Sequence, residues 1–235
     1  MSVRLSPTVR QRVSRPDSCF HSDSSPAFGE PVDWLKPNLE VSPHHNPAVA
    51  AEAVEKLLDL GFDPESFWEQ EITWGDHDSF QHVNNVRYVR FFESGRIKWM
   101  ASLGHELGGA AKANAMLTGQ GVSLILKSIS MNYRSPVVYP DTLLIAHKPQ
   151  PPSSEPHGVK RHAGGGNTHL SVNAVAYSYK QQRIVTESES VVVWYDYDRL
   201  VKCDPGEAMK RVIRRRLLLG ADPMLNRLPL EVRRV

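Results

Sequence analysis

The spacing of apolar residues changes along this chain, from a helical period before residue 104 to a strand period after residue 121. Residues 84–103 repeat apolar side chains at intervals near three and four, which predicts the main helix, and Gly104 is expected to end it. A short strand is predicted just before the helix, at residues 71–77. Four further strands are predicted at residues 121–134, 142–148, 168–180 and 183–195. An early helix beside an antiparallel meander has only that sheet on which to bury its apolar face. We therefore predict an α+β fold in which five antiparallel strands wrap around one long helix.

The composition divides the chain into three segments. Residues 1–48 are rich in Ser, Pro and His and predict a disordered or targeting segment. Residues 49–200 are predicted to form the folded domain, with a short helix over residues 47–61 at its start. Residues 201–235 are predicted to form a C-terminal tail with a basic helix at residues 206–219. That helix is either a surface helix docked by its leucines or a contact for an anionic partner such as a coenzyme phosphate, RNA or a lipid headgroup.

The first residues of the chain favour two interpretations. Four arginines precede the first acidic residue, Asp17, and serines lie among them. A start that is rich in Arg and Ser and poor in acids is typical of a mitochondrial presequence. Pro7 and Pro16 interrupt any helix there and favour a plain basic tail instead. We predict a mitochondrial location, with a cytoplasmic location as the alternative.

Several classes of protein find no support in the composition. No apolar run approaches the roughly 18 residues needed to span a bilayer. Cys19 and Cys203 are the only cysteines and lie near opposite ends of the chain, so we expect a reducing compartment and no disulfide framework. A net charge of +2 gives no positive reason for a nucleic-acid partner, and none is expected.

The densest group of polar side chains lies just before the main helix. Residues 74–85 contain two carboxylates, two histidines and two asparagines. The first turn of a helix has free backbone N–H groups and the positive end of the helix dipole, so this density predicts a reaction centre. Asp76, His77, Asp78 and His82 could also bind a metal, but their spacing matches no standard zinc pattern, and we expect no metal.

The stretch from Gly75 to Tyr88, Gly-Asp-His-Asp-Ser-Phe-Gln-His-Val-Asn-Asn-Val-Arg-Tyr, resembles the signature of hotdog-fold thioesterases. It is most similar to the 4-hydroxybenzoyl-CoA thioesterase-like branch and to long-chain acyl-CoA thioesterases, and the resemblance covers about residues 70–197. It implies a hotdog fold, an acyl-CoA substrate, no cofactor, and a homodimer or homotetramer with its sites between subunits. The chain departs from plant acyl-carrier-protein thioesterases, which have Asn at the position of Phe80, and from many bacterial relatives, which have Gly at that of Gln81.

The resemblance also implies roles for individual residues. Asp78 falls where the family has its catalytic carboxylate, which attacks the thioester carbonyl or acts as a base on water. His82 would orient Asp78 or polarise the water, and the backbone N–H of Asn85 is the candidate donor to the oxyanion. As alternatives, Asp78 caps the helix and His82 is a structural hydrogen-bonding residue. The candidate substrate-binding residues are Asn84, Tyr88 and Arg134, and the Asn84 side chain could instead cap the helix.

Two functions remain open from the sequence. The leading one is a thioesterase that hydrolyses a fatty or aromatic acyl-CoA to the free acid and CoA. The other is a hotdog subunit without catalytic activity, held by its tails in a larger, mitochondrial assembly. The presence of both Asp78 and His82 favours the enzyme, because a subunit without activity has no need of either.

Overall fold

The computed structural model describes residues 46–151, 168–229 and 232. Predictions about residues 1–45, including the presequence, therefore lie outside the described residues. None of the helices in the described part of the chain is long and apolar enough to span a membrane. The helices are α1 (Pro47–Asp59), α2 (Arg87–Leu117), α3 (Gly206–Ala221) and α4 (Pro223–Asn226), and the strands are β1 (Asp63–Ile72), β2 (Val122–Tyr133), β3 (Asp141–Pro149), β4 (His169–Ser178), β5 (Arg183–Asp196) and β6 (Val201–Lys202).

One antiparallel sheet contains all six strands, in the order β1-β3-β4-β5-β2, with β6 paired to β5. The sheet curls around α2, whose Phe92 lies in one buried cluster with Ile145 of β3 and Ala176 of β4. Further along the helix, Trp99 and Leu103 are fully buried in a cluster supplied by β2, β4 and β5. The predicted α+β hotdog fold is confirmed, as are the short N-terminal helix and the four strands after α2.

The prediction of a short strand at residues 71–77 is wrong. The strand beside α2 is β1, which lies earlier and is longer, and it pairs with β3 at the edge of the sheet. Residues 74–76 form a 3₁₀ turn instead, because Asp76 accepts hydrogen bonds from both the backbone N–H and the hydroxyl of Thr73, at 2.8 Å each. A capping box of this kind pairs the backbone N–H groups at the start of a helical turn, so residues 74–76 adopt helical and not extended backbone conformations.

The predicted bounds of the main helix are also wrong. The helix begins at Arg87 and continues past Gly104 to a break at Gly108 and Gly109, where Gly109 has a φ of 67°. A second helical segment then folds back against the first. A Cβ on Gly104 would lie 2.5 Å from the Cα of Ala113, so the glycine allows this close approach and does not end the helix.

The basic helix is present as α3, and two of its three leucines, Leu217 and Leu219, are half-buried. Leu218 is exposed, whereas Met209, Val212 and Arg216 are buried. Arg216 lies against α2 and β1, where its guanidinium is paired with the Asp63 and Glu106 carboxylates. The inward face of α3 therefore combines apolar packing with a buried ion pair, and the apolar pattern of the sequence did not indicate the ion pair.

Candidate active site

A tight turn between residues 77 and 83 sets the relative positions of the two candidate catalytic side chains. His77 and Val83 form an antiparallel bridge, and inside it the Asp78 N–H donates to the His82 carbonyl at 3.1 Å. Gln81 closes the turn with a φ of 62° and donates from its N–H to the Asp78 carbonyl at 3.0 Å. The backbones of Asp78 and His82 therefore lie opposite each other across the turn.

Among the residues that the structure describes, one group donates a hydrogen bond to the Asp78 carboxylate. Its Oδ1 accepts a hydrogen bond at 2.9 Å from the backbone N–H of Phe80, within the turn. Asp78 is half-buried, and its carboxylate caps this turn and not α2. The alternative that Asp78 caps the helix is therefore wrong. The helix start uses Asn84 instead, whose Oδ1 accepts from the Val86 N–H at 3.0 Å.

The tautomer of His82 follows from its backbone contact. Nδ1 lies 3.2 Å from the carbonyl oxygen of Val83. Because a carbonyl can only accept, Nδ1 carries the hydrogen, and Nε2 of the neutral ring is left as a proton acceptor. The Phe80 ring is stacked on the imidazole with ring centroids 6.2 Å apart. The arrangement suits a histidine that takes a proton from water at Nε2.

The candidate catalytic loop, residues 77–83, is hydrogen-bonded to the turn between β2 and β3. The Val83 N–H donates to the Val137 carbonyl at 2.8 Å, and Nε2 of His77 accepts from the Tyr139 N–H at 2.7 Å. His77 thus has an anchoring role that the sequence pattern did not distinguish from metal binding. Within residues 46–151 and 168–229, no group of three or more His, Cys, Asp or Glu side chains is arranged to bind a metal ion.

A pocket of about 230 Å³ lies beside the start of α2. Its lining residues are His82, Val83, Asn85, Tyr88, Tyr133, Arg134, Ser135 and Pro136. Four of the six predicted site residues are brought together there, and Asp78 and Asn84 are not among the lining residues. Tyr133, at the end of β2, was not predicted to be in the site. Strand alternation alone would have placed its side chain on the helix side of the sheet, but it would not have indicated that this side chain reaches the helix start.

Two tyrosines form an aromatic wall of this pocket. The Tyr88 and Tyr133 rings meet edge to face with centroids 5.5 Å apart. Burial raises the pKa of Tyr88 to about 12 and also raises the pKa of Tyr133. Both hydroxyls therefore keep their protons at neutral pH and can donate hydrogen bonds. Tyr133 donates to the Asn85 carbonyl oxygen at 2.9 Å.

Arg134 lines the pocket and forms an ion pair with Glu187. Its Nη2 lies 2.5 Å from Oε2 of Glu187 on β5, and both side chains are substantially exposed. Exposed ion pairs of this kind contribute about 0–1 kcal/mol, so the guanidinium can exchange its carboxylate for another anion at little cost.

Comparison with known proteins identifies the family. A sequence profile described as the Thioesterase-like superfamily matches residues 72–213. The long-chain acyl-CoA thioesterase FadM of Escherichia coli is 30% identical over 73 residues, which are 31% of this chain and 49% of FadM, so the chain spans about half the length of this curated relative.

Solved structures of thioesterases are also similar to this chain. A putative thioesterase from Pseudomonas aeruginosa is 20% identical, with 63% of this chain and 96% of that one covered and a TM-score of 0.47. A 1,4-dihydroxy-2-naphthoyl-CoA thioesterase from Synechocystis is 14% identical, with 63% and 94% covered and a TM-score of 0.47. The profile match extends over more than half of the residues, and the chain belongs to the thioesterase-like superfamily.

Proposed function

We propose that this protein hydrolyses the thioester bond of an acyl-CoA, releasing the free acid and CoA. The observation that carries the proposal is that His82 and Asn85 line one pocket at the start of α2, in a member of the thioesterase-like superfamily. His82 supplies a proton acceptor and Asn85 supplies a backbone N–H. A proton acceptor and an oxyanion donor beside one pocket are what acyl transfer to water requires.

The proposed reaction divides the work between the loop and the helix. In one route Asp78 attacks the thioester carbonyl to give a mixed anhydride as the C–S bond breaks, and a water that gives its proton to Nε2 of His82 then hydrolyses this anhydride to the free acid. In the other route Asp78 takes the proton of the attacking water, and His82 orients that water. The Asn85 N–H donates to the oxygen of the thioester carbonyl as negative charge develops there. The C–S bond then breaks and CoA leaves as a thiolate. Because a thiol has a pKa of about 8.5, no strong general acid is needed.

The substrate class is proposed from the pocket and from the relatives. Asn84, Tyr88 and Arg134 are the proposed substrate contacts, with Arg134 directed to a phosphate of CoA. The FadM name supports an acyl-CoA, and the acyl group is proposed to be fatty or aromatic. The aromatic wall of Tyr88 and Tyr133 suits an apolar or ring-bearing acyl group.

A homodimer or homotetramer is proposed because the surface around the pocket is apolar. Trp74, Phe80 and Val86 are 78%, 79% and 70% exposed beside the start of α2. Exposed large apolar side chains in such a cluster are typical of an interface. Among the described strands, β2 is an outer strand of the sheet, so its unpaired edge is open to a second copy. A second copy that covers this surface would close the pocket from solvent.

The test is thiol release from a panel of acyl-CoAs, short, long and aromatic, by the native protein and by Asp78→Asn. We expect turnover of at least one substrate, with kcat lower by about a hundredfold or more in Asp78→Asn. Glu189→Gln, a change of an exposed carboxylate on β5, is the matched control and should retain native turnover.

Equal, trace rates from both proteins across the panel would contradict the proposal and favour the alternative, a hotdog subunit without activity in a larger assembly. The hydrogen bond from the Phe80 N–H to the Asp78 carboxylate supports that alternative, because a carboxylate with a purely structural role would make such a bond within its own turn. Sedimentation of a native extract separates the two: a small homo-oligomer supports the enzyme, and co-migration with a large particle supports the assembly subunit.

A further inference from the structure

Three successive peptide groups lead into α2, and all but one of their hydrogen-bonding groups have partners. In the first, the Asn84 N–H donates to the Asp76 carbonyl at 2.9 Å, and the Val83 carbonyl accepts from Nδ1 of His82. In the second, the Asn84 carbonyl accepts from the Arg87 N–H at 2.9 Å. The remaining group of that second peptide, the Asn85 N–H, has no acceptor among the described residues. A backbone donor left free where its neighbours are all paired is available to a ligand.

The direction of this free donor follows from peptide geometry. In a planar trans peptide the N–H and the C=O point in opposite directions. The Asn84 carbonyl points into the first turn of α2, toward the Arg87 N–H, so the Asn85 N–H points away from the helix. Asn85 lines the pocket, and the N–H lies at the positive end of the helix dipole.

The third peptide, between Asn85 and Val86, is held on both sides. Its carbonyl accepts from the Tyr133 hydroxyl at 2.9 Å, and its N–H donates to Oδ1 of Asn84 at 3.0 Å. Tyr133 belongs to β2 and Asn84 to the loop, so the contact ties the helix start to the sheet. Fixing this peptide and the one before it leaves Asn85 little freedom to turn its N–H out of the pocket.

We propose that Tyr133 is a positioning residue that aims the Asn85 N–H at the thioester oxygen, with Asn84 holding the other side of the same peptide. The proposal rests on the proposed thioester hydrolysis and adds a determinant of kcat on the sheet, outside the catalytic loop. Asn84 then acts through the backbone, in addition to any contact that it makes with substrate. The proton that the Tyr133 hydroxyl donates is retained at neutral pH, because burial raises its pKa.

The test removes only the hydroxyl, in Tyr133→Phe, with Tyr195→Phe on β5 as a matched control away from the pocket. Loss of alignment of an oxyanion donor should lower kcat by roughly ten- to a hundredfold, while KM stays within about twofold. Inhibition by a CoA thioether, which lacks the carbonyl, should be unchanged in Tyr133→Phe. A variant that was merely damaged would lose affinity for the thioether as well.

A second variant tests whether the two side chains hold one peptide. Asn84→Ala alone should also lower kcat, and in the Tyr133→Phe/Asn84→Ala double variant the combined loss should be smaller than the product of the two single losses. If the kcat losses multiplied, Tyr133 and Asn84 would act separately, and the inference that they hold the same peptide would be overturned. Native kcat in Tyr133→Phe, with the native protein active, would overturn the inference alone. Absence of hydrolysis by the native protein would remove the proposed function and the inference together.

Discussion

Replacement of Arg216 by Met should strongly destabilise the fold, although Arg216 lies away from the candidate active site. The side chain is 6% exposed, and its guanidinium lies 2.8 Å from Oδ2 of Asp63, 2.8 Å from the Ser102 hydroxyl and 3.1 Å from Oε2 of Glu106. Burial by itself would lower the pKa of Arg216, but the charges of Asp63 and Glu106 outweigh it and raise the pKa. The cation therefore stays charged and fastens α3 to β1 and α2.

The expected loss can be worked out from what remains after the substitution. Removing one partner of a buried ion pair costs about 3–5 kcal/mol, because the other charge is left uncompensated. Glu106 would keep Arg215, and Asp63 would keep the Trp99 indole N–H, which donates at 2.8 Å. Because these partners are retained, we expect the free energy of unfolding to fall by about 3 kcal/mol, at the lower end of that range. With a urea m-value of about 2 kcal/mol/M, the midpoint should fall by roughly 1.5 M.

Urea denaturation followed by tryptophan fluorescence measures this shift. Arg214→Met is the matched control, since Arg214 is exposed on the same helix, and it should change stability by no more than about 0.5 kcal/mol. Adding Asp63→Asn to Arg216→Met removes the orphaned charge and should restore part of the loss. If Arg216→Met and Arg214→Met had the same midpoint, the ion pairs would not hold α3 in place and the reasoning would be refuted.

Two further predictions concern the contact between α2 and β3. Gly95→Ala should lower the thermal midpoint, because the new Cβ would lie 2.8 Å from Cε1 of His147 and 3.0 Å from Cγ2 of Ile145. Overpacking of this kind costs about 1–3 kcal/mol, against about 1 kcal/mol gained in helix propensity, and a raised midpoint would contradict the packing argument. Burial, with the nearby charge of Arg96, lowers the pKa of His147 to about 3, so between about pH 6.5 and 3 the unfolded chain binds more protons than the folded one. Stability should therefore fall as pH falls through that window, by up to about 1.4 kcal/mol per pH unit, and urea midpoints of His147→Gln should show a flatter dependence.

The sequence predicted those elements whose signal is local. The apolar run of β3, the alternation of β4, the Val-rich run of β5 and the apolar face of α1 are each contained within a single short stretch of the chain. The polar loop before α2 was recognised for the same reason, because its residue types are concentrated in one short stretch. Four of the six residues that it and the resemblance suggested line one pocket, namely His82, Asn85, Tyr88 and Arg134.

Contacts between distant segments decided the rest. The charged residues of β1 give no strand pattern, and β1 forms because β3 offers it a partner. α2 passes Gly104 because Ala113 packs there, and α3 turns Arg216 inward because Asp63, 153 residues away, supplies a counter-charge. The pocket depends on Tyr133 in the same way. Its hydroxyl reaches the Asn85 carbonyl across 48 residues of chain, and only the docking of α2 on the sheet brings these two groups within hydrogen-bonding distance.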